Sequence, residues 1–94
     1  MTNEMFWDLL DSGKIRVAIW YGENDGKTKE VDAFEHDGKF FLRICATRTY
    51  VTGERAYGKR YRMAPMWNAI KEFDTRESAN AYFKKCADGL KRVR

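Results

Sequence analysis

Ninety-four residues suffice for one hydrophobic core and leave no room for a second. With 44% apolar and 15% aromatic residues, the composition excludes a disordered chain, which lacks so many large side chains. The net charge of +4 hides a split: residues 1–47 carry six bases against nine acids (−3), residues 48–94 twelve against five (+7). Such asymmetry between halves points to an electrostatic partner.

Met1-Thr2-Asn3-Glu4 lacks the basic start of a signal peptide, and no apolar run approaches the roughly 20 residues of a membrane span. The expected compartment is a reducing cytoplasm, that of the host if the chain is phage-encoded. Cys45 and Cys86 are too few for a disulfide scaffold. Each falls at an apolar position of the patterns below, where a free thiol acts as a small hydrophobe; a bridge between them is the lesser alternative.

Thr2 or Asn3 caps a helix over residues 3–12, in which Met5, Phe6, Leu9 and Leu10 recur at the spacing of one helical face. Trp7 falls beside that stripe and reads as core. Ser12-Gly13 ends the helix. Lys14–Tyr21 alternates as a strand, with Ile15, Val17, Ile19 and Tyr21 on one face and Lys14, Arg16, Ala18 and Trp20 on the other. Gly22–Gly26 forms a turn, Thr28–His36 a second strand, and Asp37-Gly38 a tight hairpin of the primed type. In the third strand Phe40, Leu42, Ile44 and Ala46 oppose Phe41, Arg43, Cys45 and Thr47, and apolar residues on both faces predict a central strand covered on each side.

The run Thr47–Met63 (T-R-T-Y-V-T-G-E-R-A-Y-G-K-R-Y-R-M) is the most informative segment. It holds five cations (Arg48, Arg55, Lys59, Arg60, Arg62), three tyrosines (Tyr50, Tyr57, Tyr61) and one acid, Glu54. Thr52-Gly53-Glu54 reads as its turn, so the run is a projecting hairpin or, alternatively, a loop insertion. In a hairpin, Arg60 and Arg62 share one face, and Tyr57, Lys59, Tyr61 and Met63 the other. Pro65 is expected to end this unit. Trp67–Phe73 alternates as a last strand. Asp74 or Thr75 then caps a helix, Asp74 and Glu77 having capping-box spacing. Its buried stripe is Ala79, Tyr82, Phe83, Cys86 and Ala87, with Gly89 just beyond it and Leu90 folding back. Residues 90–94 form a basic tail expected to fray.

The order predicts a single α+β domain over residues 1–94: an antiparallel sheet of four to five strands, with a short N-terminal helix and a C-terminal helix packed on it.

Catalytic signatures are missing. His36, the only histidine, sits at a turn beside Glu35 and Asp37 and reads as a solvated residue, the alternative being a base oriented by a carboxylate. Neither cysteine has a second ligand at metal spacing. Glu23, Asp25 and Glu30 lack the oxygen spacing of a calcium loop, and Gly22-x-x-x-Gly26-Lys27 lacks the glycine count and following helix of a phosphate loop. No enzyme activity, cofactor or metal is expected.

The basic run carries the functional expectation. Guanidinium forks suit phosphates and tyrosine rings suit bases, so Arg48, Arg55, Lys59, Arg60 and Arg62 with Tyr50, Tyr57 and Tyr61 are expected to dock on nucleic acid, single-stranded or irregular. Arg76, Lys84, Lys85 and the tail extend the field. Trp20, flanked by Lys14 and Arg16, is a stacking platform unless a helix covers it. Tyr and Arg are also enriched at protein interfaces. The competing expectation is a stoichiometric inhibitor of a nucleic-acid-processing complex, its arginines meeting an acidic protein surface and Met63, Met66 and Trp67 serving as anchors. In outline, four antiparallel strands followed by a helix at a capped F-D-T segment resemble the PUR-type and Whirly single-stranded-nucleic-acid folds. No residue motif of either family is matched, so no functional residue is carried over. Size and aromatic content resemble those of small phage-encoded inhibitors such as anti-CRISPR and anti-restriction proteins.

Overall fold

The computed structural model describes residues 1–24, 26–55 and 58–94, with side chains for all of these except 48–55 and 58–67. Helix α1 (Asn3–Asp11) leads into β1 (Ala18–Asn24), β2 (Lys27–His36), β3 (Lys39–Arg55) and β4 (Gly58–Phe73); α2 (Arg76–Cys86) and β5 (Lys91–Arg92) follow. The strands form one antiparallel sheet in the order β4-β3-β2-β1-β5, and the expected α+β class holds. Among the described residues no helix is long and apolar enough to cross a membrane.

The pleat sends alternate residues of β2 and β3 to opposite faces, and each helix covers one of them. Under α1, Phe6 and Ile15 pack with Phe34 and Phe41, joined by Leu9, Leu10, Val17 and Ile70. Under α2, Val31, Leu42 and Ile44 meet Phe73, Tyr82, Phe83, Cys86 and Leu90. The helices are 9 and 11 residues long, too short to persist alone in water, so these two layers hold them.

Local signals settle most boundaries. Thr2 caps α1 by accepting from the Met5 amide at 3.2 Å. Asp37 and Gly38 take φ of 51° and 73°, the primed turn the sequence calls for. At α2 the cap is Thr75, whose hydroxyl accepts from Ser78 N at 3.2 Å. Asp74 makes no capping box there; its carboxylate pairs with Lys39 Nζ.

Five expectations need correction. The strand expected from Lys14 starts only at Ala18, opposite Ala33, because Ile15 turns into the α1 core, where it is buried. β1 instead runs on through Gly22 to Asn24, paired with Lys27, so the reversal is tighter than a Gly22–Gly26 turn. Trp7 is 47% exposed and Met5 50%, since Phe6 takes the position facing the sheet and its neighbours are rotated about 100° to either side. Pro65 does not end a unit. β4 passes through it and lies at the sheet's edge, where a residue without an amide proton is tolerated; the ladder shifts register there, Ala46 pairing with Trp67 and Thr47 with Pro65. Finally, the tail is not loose: Lys91 and Arg92 pair with Tyr21 and Trp20, and the Ile19 amide donates to Arg94 O at 3.0 Å.

Candidate nucleic-acid interface

The register of β3 shows where the basic run lies. β2 pairs with β3 only as far as Lys27 opposite Arg48, whereas β3 and β4 continue together to Arg55 opposite Gly58. Thr49–Arg55 and Gly58–Met63 therefore extend as a two-stranded ribbon beyond the end of β2. At about 3.3 Å per residue its arms reach about 20 Å. The radius of gyration is 15.8 Å and the longest extent 55 Å, where a compact chain of this length would have a radius near 12 Å.

This ribbon carries most of the predicted site. Arg48, Tyr50 and Arg55 lie on β3; Lys59, Arg60, Tyr61, Arg62, Met66 and Trp67 lie on β4, with Tyr50 opposite Arg62 and Glu54 opposite Lys59 in the backbone register. Their side chains, and the whole of Tyr57, fall outside the described residues, as does the assignment of Tyr57, Lys59, Tyr61 and Met63 to one face.

Trp20 is described. One edge of its ring meets Phe83 of α2, centroids 4.6 Å apart, and the Arg92 guanidinium sits 5.4 Å from the indole. It is neither the open platform nor the fully covered core residue that the sequence allows, but part of the wall of a groove beside α2.

Charge separates between the two layers. Helix α1 holds Glu4, Asp8 and Asp11 and no base, and the sheet face beneath it carries Glu23, Glu30 and Asp32. On the opposite face Lys27, Lys29 and Lys71 share the pleat with Val31 and Leu42, α2 adds Arg76, Lys84 and Lys85, and β5 adds Arg92; Lys91, paired with Tyr21, falls on the side of Glu30.

One feature of the acidic layer escapes sequence reasoning. Arg43 and Asp32 face one another across β2 and β3, 8% and 2% exposed, with Nη1 to Oδ2 at 3.1 Å and Glu30 Oε2 at 3.7 Å. Arg43 Nε donates to Asn3 Oδ1 at 3.4 Å, and the guanidinium lies 4.9 Å from the Phe6 ring and 5.2 Å from Trp7. Burial, reinforced by Glu30, pushes the Asp32 carboxyl up to about 7 despite Arg43, and its Oδ1 has no partner. The only signal is a charged residue set between apolar neighbours on each strand, Val31-Asp32-Ala33 and Leu42-Arg43-Ile44.

Among the described residues the remaining polar groups show no reactive arrangement. His36 Nε2 lies 3.3 Å from Asp37 Oδ2, while Glu35 is held by Arg76. Burial raises both thiols, opposing thiolate formation, and Cys45 and Cys86 are free. Among the described residues no three carboxylate, histidine or cysteine groups converge on a metal position. Known protein families, curated proteins and solved structures offer no match to this chain.

Proposed function

We propose that this chain is a non-enzymatic nucleic-acid-binding protein that docks its β3–β4 ribbon on a single-stranded or irregular strand. The observation that carries the reading is the register: Tyr50, Arg55, Lys59, Arg60, Tyr61 and Arg62 lie on the two strands that outrun β2, and Arg48 at their base. Arg48, Arg55, Lys59, Arg60 and Arg62 meet phosphates, and Tyr50, Tyr57 and Tyr61 stack on bases, each stack contributing about 1–3 kcal/mol. The basic α2 layer behind the ribbon adds attraction at long range.

The test is fluorescence anisotropy with labelled single strands and duplexes at low and moderate salt. Single strands should bind at low micromolar protein in low salt. Five neutralised phosphates at about 0.7 each imply a log–log salt slope near −3.5. R60E/R62E should weaken binding across all sequences. No binding in low salt removes the reading.

A second reading is a stoichiometric inhibitor of a nucleic-acid-processing complex, and the exposed pair Met5 and Trp7 on the acidic layer favours it. A pull-down returning such a complex, lost in M5E/W7E and retained in R60E/R62E, would choose this reading over the first.

A further inference from the structure

β2 runs three residues past the start of β1, through Phe34, Glu35 and His36, because residues 14–17 leave the sheet to bring Ile15 and Val17 to the α1 core. The departure opens a groove of about 800 Å³ between residues 14–18, the ends of β2 and β3, and the first half of α2. That is the size of a site for a nucleotide rather than for a single ion.

Its lining is cationic and aromatic together. Lys14, Arg16, Arg76 and Arg92 border it against one carboxylate, Glu35, and Arg76 Nη2 already holds Glu35 Oε1 at 2.7 Å. Among the described residues Lys14 and Arg16 have no carboxylate partner, and Arg92 Nε donates to Arg94 O at 3.3 Å. Each end pairs a guanidinium with a ring: Arg92 lies 5.4 Å from Trp20, and Arg76 lies 5.2 Å from Phe40. Asn80, also on the wall, offers an amide that both donates and accepts, as a base edge requires. A groove that combines unpaired Lys14 and Arg16 with guanidinium–ring pairs fits a ligand that is an anion at one end and a flat ring at the other.

The groove also connects with the ribbon. From Leu42 in its wall to Arg48 at the ribbon's base, β3 covers about 20 Å. On that face Lys71 stands opposite Leu42, Lys29 opposite Ala46 and Lys27 opposite Arg48, around the area where α2 buries Val31 and Ile44. We propose that the groove holds a nucleotide of the single strand bound by the ribbon, the strand passing around α2 with Lys29 and Lys27 meeting phosphates where it leaves the ribbon. This inference rests on the nucleic-acid reading and adds to it a second contact.

The test compares labelled oligothymidylates of increasing length, from about 4 to about 16 nucleotides, on the wild-type protein and on R16E/R92E. Wild-type affinity should rise steeply once the strand spans ribbon and groove, and the variant should lose about tenfold on the long strands while matching wild type on the short ones. A variant that keeps the wild-type length dependence overturns the groove and leaves the ribbon reading standing. Absence of binding at every length overturns both. Thymidine monophosphate competing as well as a long strand overturns the polymeric occupant. Photocrosslinking of bromodeoxyuridine strands to the wild-type protein gives a readout that needs no variant: adducts on peptides containing Trp20, Phe40 or Phe83 support the groove, and adducts confined to residues 48–67 overturn it.

Discussion

Arginine and lysine serve opposite ends on the two faces of this sheet. Under α1, Arg43 is buried with Asp32 and Glu30, its guanidinium enclosed by Phe6, Trp7 and Asn3. Under α2, Lys27 and Lys71 are exposed and Lys29 half-buried, beside a helix that is itself basic. A buried guanidinium that donates to a buried carboxyl is committed to the fold, since removing it leaves that carboxyl without its donor. Cations without such partners remain available to something outside the molecule. The sign of the net charge is thus a poor guide to a binding face, and the presence or absence of a buried counter-charge is a better one.

The largest test of this contrast is Arg43→Ala, which should cost about 3–5 kcal/mol in urea unfolding because Asp32 and Glu30 lose their partner. Lys29→Ala and Lys71→Ala should stay within about 0.5 kcal/mol. Comparable losses at Arg43 and Lys29 would erase the distinction between the faces.

Next in size is a pH dependence peculiar to the acidic layer. The Asp32 carboxyl titrates near 7 in the folded protein against an ordinary 3.8. Between these values the folded protein binds a proton that the unfolded chain releases. Stability conferred by that proton is present at low pH and falls as pH rises through the window, by up to about 4 kcal/mol at about 1.4 kcal/mol per unit. Urea midpoints at pH 5, 6, 7 and 8 should decline in the wild type and flatten in Asp32→Asn. A wild-type midpoint that climbs over the same range contradicts the burial of an unmet carboxylate.

On the binding side, K27E/K29E/K71E should lower affinity for long single strands about tenfold at low salt, whereas E4K/D8K/D11K should not lower it. Equal losses would mean that charge acts through the whole molecule rather than through one face.

The smallest effects belong to the helix caps. Thr2→Ala and Thr75→Ala should each cost about 1 kcal/mol in thermal or urea unfolding. Thr75→Ala should also weaken long-strand binding slightly, because Arg76 and Asn80 of the groove hang from the first turns of α2; Thr2→Ala should leave binding unchanged.

Much of the fold is legible from neighbours in the chain. The stripe of Ala79, Tyr82, Phe83, Cys86 and Ala87, the turn at Asp37-Gly38 and the two-sided apolar pattern of residues 40–47 all correspond to observed elements. The corrected residues are those on which two demands compete. Ile15 satisfies a strand alternation and a core vacancy, and the core takes it. Pro65 is a strand breaker in general and harmless on an edge, and edge position depends on strand order. Trp7 and Phe6 are both large and apolar, and the sheet admits one of them. The composition of the ribbon stands out in the sequence, but its reach beyond β2 appears only in the register. The groove is less visible still, since its wall draws on residues 14–18, β2, β3, α2 and β5.

The amino-acid sequence alone determined the α+β class, the primed turn, the apolar faces of the strands and the concentration of arginine and tyrosine in one segment. These follow from interactions within a few residues, where alternation, caps and left-handed turn positions have a single solution. Tertiary structure decided which cations are enclosed and which are free, where the ladder beside β3 stops, and that residues 14–17 leave β2 to open a groove. Each of those outcomes depends on a partner tens of residues away, and local patterning carries no term for what that partner will bury.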